Sequence, residues 1–138
     1  MKLIDSHLHL DHYSSDDILK IVGDENVEKL ITVSFDLESC KKNKELSKKH
    51  SKVYAAYGFH PEQPLPNEKE VATLFSWIKE NAKDMVAVGE VGLPYYLRKQ
   101  GRVSKEDNKR YIHLLEQFCL LATELIKPIV LHAVYEDA

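Results

Sequence analysis

Short apolar runs alternate with longer amphipathic segments along almost the whole chain. The apolar runs predict five strands, at residues 3–10, 30–35, 53–59, 85–90 and 128–132. Two of them, Leu30-Ile31-Thr32-Val33 and Ile129-Val130-Leu131, have the mostly apolar character of parallel strands that are covered on both faces. The alternation therefore predicts an α/β fold with a parallel sheet, either a barrel or a doubly wound sheet.

The amphipathic segments between the strands predict four helices. The first begins near Ser14 and ends near Gly23, and the second runs from the capping residue Asp36 to about His50. In the third, apolar residues recur at i, i+3, i+4 and i+7, the spacing of one buried helix face: Val71, Leu74, Phe75 and Ile78. The fourth follows Ser104 and is the longest. We find no repeat and no linker, so residues 1–138 are predicted to lie in one domain.

Composition narrows the class of protein. Apolar residues make up 43% of the chain and charged residues 30%, which is typical of a soluble globular protein. No stretch approaches the roughly 20 apolar residues of a membrane helix, and the first residues are too polar for a secretory signal. We therefore expect a cytoplasmic protein with no membrane partner. Cys40 and Cys119 lie far apart without a C-x-x-C pattern, so both are predicted to be buried thiols.

The first strand carries an unusual set of polar residues. Side chains alternate along a strand, so Asp5, His7 and His9 should share one face. Two imidazoles side by side at a strand end can chelate a divalent metal, and Asp5 could orient one ring. The alternative is a pair of hydrogen-bonded core histidines.

Further polar residues end the later strands. Glu90 ends the fourth strand, His132 ends the fifth, and His60 closes the third in Gly58-Phe59-His60-Pro61. The carboxyl ends of parallel strands open onto one rim, so these side chains should meet His7 and His9. A carboxylate among imidazoles can bridge two cations, an arrangement suited to phosphodiester hydrolysis.

Each of these residues also has a structural alternative. Glu90 could be a helix cap or a salt-bridge acceptor, and His132 and His60 could be hydrogen-bonded or loop histidines. His12, His50 and His113 are predicted to be structural or solvated. After Glu90, the tyrosines of Tyr95-Tyr96 could stack on bases and Arg98 could meet phosphate, or this loop is simply packed.

Four blocks of sequence together resemble the TatD-type DNase family of amidohydrolase-like metal hydrolases. They are Ile4-Asp5-Ser6-His7-Leu8-His9-Leu10, Gly58-Phe59-His60-Pro61, Gly89-Glu90-Val91-Gly92-Leu93 with Tyr95-Tyr96, and Pro128-Ile129-Val130-Leu131-His132. The blocks occur in family order and extend over nearly the whole chain.

The resemblance implies a TIM-type (β/α) barrel, one or two divalent metal ions (Mg²⁺, Mn²⁺ or Zn²⁺) and hydrolysis of DNA or oligonucleotides, with 3′-to-5′ exonuclease activity by family analogy. It implies that His7 and His9 hold one metal, that Glu90 bridges, and that His132 holds the other. Glu90 and His60 are the candidate catalytic residues. From its position on the rim, His60 would contact a substrate phosphate or a metal-bound water.

Two departures qualify the resemblance. Pro94 stands where the family usually has aspartate after Gly-Leu, so a rim carboxylate is missing or supplied elsewhere. A complete barrel takes about 250 residues, so the chain is expected to be an N-terminal portion, with about five strands and four helices. The family's later histidine and aspartate ligands would then be missing.

Three functions remain open at this stage. The first is a metal-dependent deoxyribonuclease, and the second is a related barrel hydrolase acting on a small amide, lactone or phosphoester. The third is a non-catalytic assembly module that self-associates through exposed sheet edges. The net charge of −3 provides no general basic surface, so DNA binding would depend on local cations and on metal ions.

Overall fold

The computed structural model describes all residues from 1 to 138 and has the predicted α/β architecture. The strands are β1 (Leu3–Leu8), β2 (Val27–Thr32), β3 (Val53–Tyr57), β4 (Met85–Gly92) and β5 (Ile129–His132). The helices are α1 (Ser15–Gly23), α2 (Leu37–Lys49), α3 (Glu68–Glu80), α4 (Tyr95–Lys99) and α5 (Lys105–Leu125). Short 3-10 turns span Leu10–His12, Ala82–Asp84 and Tyr135–Asp137.

The five strands form one parallel sheet in the order β1-β2-β3-β4-β5. A doubly wound sheet would reverse its strand order at a switch point, whereas sequential parallel neighbours are the arrangement of a (β/α) barrel. The structure therefore selects the barrel alternative, and the sheet with its helices forms half of such a barrel. All strand carboxyl ends open onto one rim.

Helix starts follow the capping residues that the sequence indicates. The side chains of Ser14, Asp36 and Ser104 each accept a hydrogen bond from a backbone N–H in the first helical turn. Asn67 and Glu70 form a reciprocal capping box at the start of α3. Caps of this kind satisfy N–H groups that have no partner within the helix, so each is worth about 1 kcal/mol.

The main core lies between the sheet and helices α2, α3 and α5. Its most buried members include Tyr57, Ile78 and Phe118, and Phe118 packs edge-to-face on Phe75 with ring centroids 4.7 Å apart. The apolar faces predicted for α3 and α5 point into this core. A smaller cluster around Leu10 lies beneath α1.

Several boundaries differ from the sequence prediction. β2 begins at Val27 rather than Leu30, because backbone pairing with Leu3 extends it through two exposed charged residues. β1 and β3 end two residues earlier than predicted, and Glu90 lies two residues before the end of β4. Helix α4 occupies part of a predicted loop. Cys119 is exposed rather than buried, because it lies on the outer face of α5.

The first strand is an exposed sheet edge. Five of its six residues are exposed, including Leu3 and Ile4. β5 forms the other edge and has the half-exposed Leu131. Among the helices, none has the length and apolar character needed to cross a bilayer.

Candidate metal centre

A buried carboxylate lies at the middle of the rim. Glu90, in β4, has a side chain only 5% exposed, and Nε2 of His7 and of His9 lie 2.9 and 3.3 Å from its Oε2. On the other side, Nδ1 of His132 lies 3.0 Å from Oε1. Nε2 of His60 is 3.8 Å from Oε2. The structure thus brings all five predicted site residues together, with four imidazoles around the carboxyl group of Glu90.

The electrostatics of the cluster follow from this geometry. Burial alone would raise the pKa of Glu90, but hydrogen bonds with His132 and His9 outweigh it and hold the pKa far below its ordinary range. The same hydrogen bonds to Glu90 raise the pKa of His9 and of His132, against the opposing effect of burial. The carboxylate is therefore ionised, and it favours the protonated forms of His9 and His132.

Backbone geometry places these side chains close together. A Cβ on Gly58 would lie 2.7 Å from the carbonyl carbon of Gly89, and a Cβ on Gly89 would lie 2.7 Å from Cβ of Val130. A Cβ on Gly92 would meet the carbonyl oxygen of His132 at 2.3 Å. Because these glycines have no side chain, β3, β4 and β5 can approach one another closely beside the cluster.

His60 has a different environment from the other imidazoles. Its Nδ1 accepts the backbone N–H of Glu62 at 3.1 Å, so the neutral ring carries its proton on Nε2, the nitrogen that faces Glu90. The ring stacks on Phe35 with centroids 5.1 Å apart. Burial lowers the pKa of His60 to about 4. The residue therefore presents a neutral N–H donor at the centre of the rim.

Asp5 does not orient a histidine ring, contrary to the prediction. Its Oδ1 accepts the backbone N–H of His7 at 3.0 Å, and its side chain is exposed. The residue folds back on its own strand because β1 is an edge with solvent beside it. His12, predicted to have no chemistry, is half-exposed and stacks on His9 with centroids 5.1 Å apart.

The segment after Glu90 is only partly free to meet a substrate. Nη2 of Arg98 donates to both carboxylate oxygens of Asp137, so this end of the guanidinium is already engaged. Tyr95 packs against Tyr96 and Tyr135 at centroid distances of 5.3 Å. Tyr96 is half exposed, so part of its ring remains available for stacking.

Sequence reasoning missed Glu62. Its Oε1 lies 3.3 Å from Nε2 of His132, and its side chain is only 13% exposed. The available signal was its position, because an acidic residue directly after His60-Pro61 shares the rim with His60.

The residues present fit a divalent cation. Two groups of three candidate ligands share Glu90, one with His7 and His9 and one with His60 and His132, and in each group the ligand atoms lie within 4.8 Å of one another. Nδ1 of His9 is buried without a hydrogen-bond partner. Imidazole nitrogens with a carboxylate form a donor set that suits Zn²⁺, Mn²⁺ and similar ions. That these residues bind a metal stays a prediction.

Comparisons with known proteins identify relatives of this chain. An uncharacterized metal-dependent hydrolase of Haemophilus influenzae is 41% identical over 136 residues, which cover 98% of this chain and 53% of that protein. YabD of Bacillus subtilis, also described as an uncharacterized metal-dependent hydrolase, is 31% identical over 94% of this chain and 50% of its own length. The chain therefore spans about half the length of these relatives.

A solved structure and a family model extend the comparison. The crystal structure of YJJV, a TatD homolog from Escherichia coli K12, superposes with a TM-score of 0.76 at 25% identity. The alignment covers 94% of this chain and 49% of that protein. The sequence model described as TatD related DNase matches residues 4–138. With its half-barrel and its histidines around Glu90, this chain belongs to the TatD-related DNase family.

Proposed function

We propose that the chain carries the divalent-metal site of a hydrolase that cleaves phosphodiester bonds in DNA. The observation that carries the proposal is the buried carboxylate of Glu90, which has imidazole nitrogens close to both of its oxygens. Residues that serve only packing would not place a buried ionised carboxylate here, because desolvating a charged group costs several kcal/mol that packing alone does not recover.

The two oxygens of Glu90 divide the site into two halves. His7 and His9 would hold a cation on the Oε2 side, His132 would hold one on the Oε1 side, and Glu90 would bridge them. A bound divalent ion would supply Lewis-acid stabilisation of the phosphate and activation of the attacking water. Mg²⁺, Mn²⁺ and Zn²⁺ are the candidate ions, in one or two copies.

His60 has the geometry of a substrate-contacting catalytic residue. Its Nδ1 is occupied by the Glu62 N–H, so Nε2–H can donate to a phosphate oxygen placed beside Glu90. The stacking contact with Phe35 fixes the ring plane. His60 therefore orients the scissile phosphate and stabilises charge that develops on its oxygen.

DNA is favoured as the substrate by the family description and by the phosphate chemistry of the site, rather than by a cationic rim. With Arg98 paired to Asp137, the nearby groups for DNA are Tyr96, for stacking on a base, and the metal site, for phosphate. A small phosphoester, amide or lactone would need only the metal site. The comparison of substrates is therefore the decisive experiment.

The test combines metal binding with cleavage. Zn²⁺ and Mn²⁺ are titrated into the chain, and labelled single-stranded DNA is then incubated with the Mn²⁺-loaded protein. We expect metal binding and DNA shortening that a chelator stops, with both lost in His7→Ala. The control His113→Ala changes an exposed residue of α5 and should leave both intact. Failure to bind any metal refutes the metal site, while binding with cleavage of small esters alone refutes DNA as the substrate.

A second candidate, a self-associating assembly module, is favoured by the exposed edge strand β1. An unpaired edge with exposed Leu3 and Ile4 offers backbone groups and apolar surface to a second copy of the chain. Sedimentation with and without chelator separates the two functions. Oligomers that form equally without metal, in a chain that binds none, favour the assembly module.

A further inference from the structure

Helix α4 begins at a residue that cannot cap it. Pro94 is the N-cap position, its backbone is not in a helical conformation, and its side chain accepts no hydrogen bond. A serine, aspartate or asparagine in this place would accept the free N–H groups of the second and third helical residues. Those residues are Tyr96 and Leu97, so the start of α4 needs its acceptor from elsewhere.

Glu62 provides that acceptor from a loop 32 positions earlier in the sequence. Its Oε1 accepts the N–H of Tyr96 at 2.8 Å, and its Oε2 accepts the N–H of Leu97 at 3.0 Å. The two bonds are those that an N-cap side chain would make. The carboxylate is thereby fixed at both oxygens, on the same rim as the metal centre.

The fixed carboxylate also contacts a predicted metal ligand. Nε2 of His132 lies 3.3 Å from Oε1 of Glu62, while its Nδ1 lies 3.0 Å from Oε1 of Glu90. The His132 side chain is 12% exposed, so few solvent contacts compete for Nε2. Metal-binding histidines commonly donate their second ring N–H to a carboxylate, which sets the tautomer and the ring orientation. Glu62 is placed to do this for His132.

We infer that Glu62 is a positioning residue, which replaces the missing cap of α4 and holds the Nε2–H of His132 so that Nδ1 faces the metal centre. The inference rests on the proposed metal site. This role also explains how α4 can begin at Pro94: Glu62, in the loop after β3, supplies the carboxylate that position 94 lacks.

The test uses the whole chain, and Zn²⁺ is the probe. Amide hydrogen exchange of Tyr96 and Leu97 reports on the α4 cap, and competition with a chromophoric chelator gives Zn²⁺ affinity. Glu62→Gln keeps the shape of the side chain but removes its charge and one acceptor. Glu45→Gln is the matched control, because Glu45 is exposed on α2. Circular dichroism checks that each variant is folded.

We expect Glu62→Gln to reduce amide protection at α4 and to weaken Zn²⁺ binding by about 10- to 100-fold, with no change in Glu45→Gln. Unchanged affinity in Glu62→Gln, with normal binding by the unmodified chain, overturns the inference alone. No binding by the unmodified chain overturns the proposed metal site as well.

A double variant separates the two roles of Glu62. Glu62→Gln combined with Pro94→Ser gives α4 a cap of its own, but no carboxylate for His132. We expect amide protection at Tyr96 and Leu97 to return while Zn²⁺ affinity stays low. If affinity returns together with protection, Glu62 acts only through α4, and the positioning of His132 is refuted.

Discussion

A substitution at Gly92 should displace His132, a predicted metal ligand, without changing His132 itself. The residue pairs with His132 across β4 and β5, and a Cβ there would lie 2.3 Å from the His132 carbonyl oxygen and 2.9 Å from its Cβ. Non-bonded carbon and oxygen atoms normally stay more than about 3 Å apart. In Gly92→Ala, β5 must therefore retreat by about 1 Å, and the 3.0 Å approach of Nδ1 to Glu90 is lost with it.

Overpacking of this kind costs about 1–3 kcal/mol of unfolding free energy. We also expect Zn²⁺ affinity to fall about tenfold or more, since ligand placement is disturbed. Urea denaturation and Zn²⁺ titration measure the two effects.

Two other glycines are matched controls for this variant. A Cβ on Gly23 meets no atom within 4 Å, so Gly23→Ala should leave both quantities nearly unchanged. Gly101 has a φ of +68°, so Gly101→Ala should cost about 1–2 kcal/mol through backbone strain, with normal Zn²⁺ binding. If Gly92→Ala is as stable as Gly23→Ala and binds Zn²⁺ equally well, the close packing of β4 on β5 does not position His132.

Three further predictions concern the rest of the molecule. Phe118→Ala should lower the unfolding free energy by about 3–5 kcal/mol in urea denaturation, because Phe118 is buried in the core. Leu120→Ala, at an exposed position, should change it by less than about 0.5 kcal/mol, and equal losses in the two variants would contradict the assigned core. Iodoacetamide should label Cys119 in the folded chain but not Cys40, whose pKa burial raises to about 12, and mass spectrometry should find two labels only after unfolding. Burial lowers the pKa of His60 to about 4 from its ordinary 6.5, so between these pH values the unfolded chain binds one more proton than the folded chain. The unfolding free energy, measured in the presence of chelator, should therefore rise with pH from about 4 to 6.5. His60→Gln should lack this part of the rise, and an identical pH profile would refute the burial of His60.

The parts of the fold that could be predicted are those that depend on residues close together in the sequence. Ser14, Asp36 and Ser104 cap helices through residues three positions away, and the structure confirms each cap. The start of β2 was wrong because Glu28 and Lys29 are exposed and charged. They extend the strand only because β1 pairs with it, and local polarity does not reveal this pairing.

The same distinction applies to the site. Alternation along the predicted first strand, residues 3–10, indicated His7 and His9, and the ends of apolar runs indicated Glu90 and His132. The parallel sheet brings these positions together because its strands open onto one rim. Glu62 was not predicted, since its contact with His132 spans 70 residues and depends on where a loop folds. Helix α4 was missed for a related reason, as its first N–H groups are capped by that distant carboxylate.

A buried polar network beneath His9 explains how an edge strand can hold a ligand in place. The loop after His9 is tied down where the N–H of Leu10 donates to the hydroxyl of Thr32, which donates in turn to Asn43 on α2. Asp11, also buried, accepts a hydrogen bond from Ser39 at 2.7 Å. Buried groups of this kind are costly when unpaired and rigid when paired. β1 itself is exposed to solvent, but the backbone just beyond His9 is anchored to the neighbouring strand and helix. This anchoring holds the His9 ring beside Oε2 of Glu90.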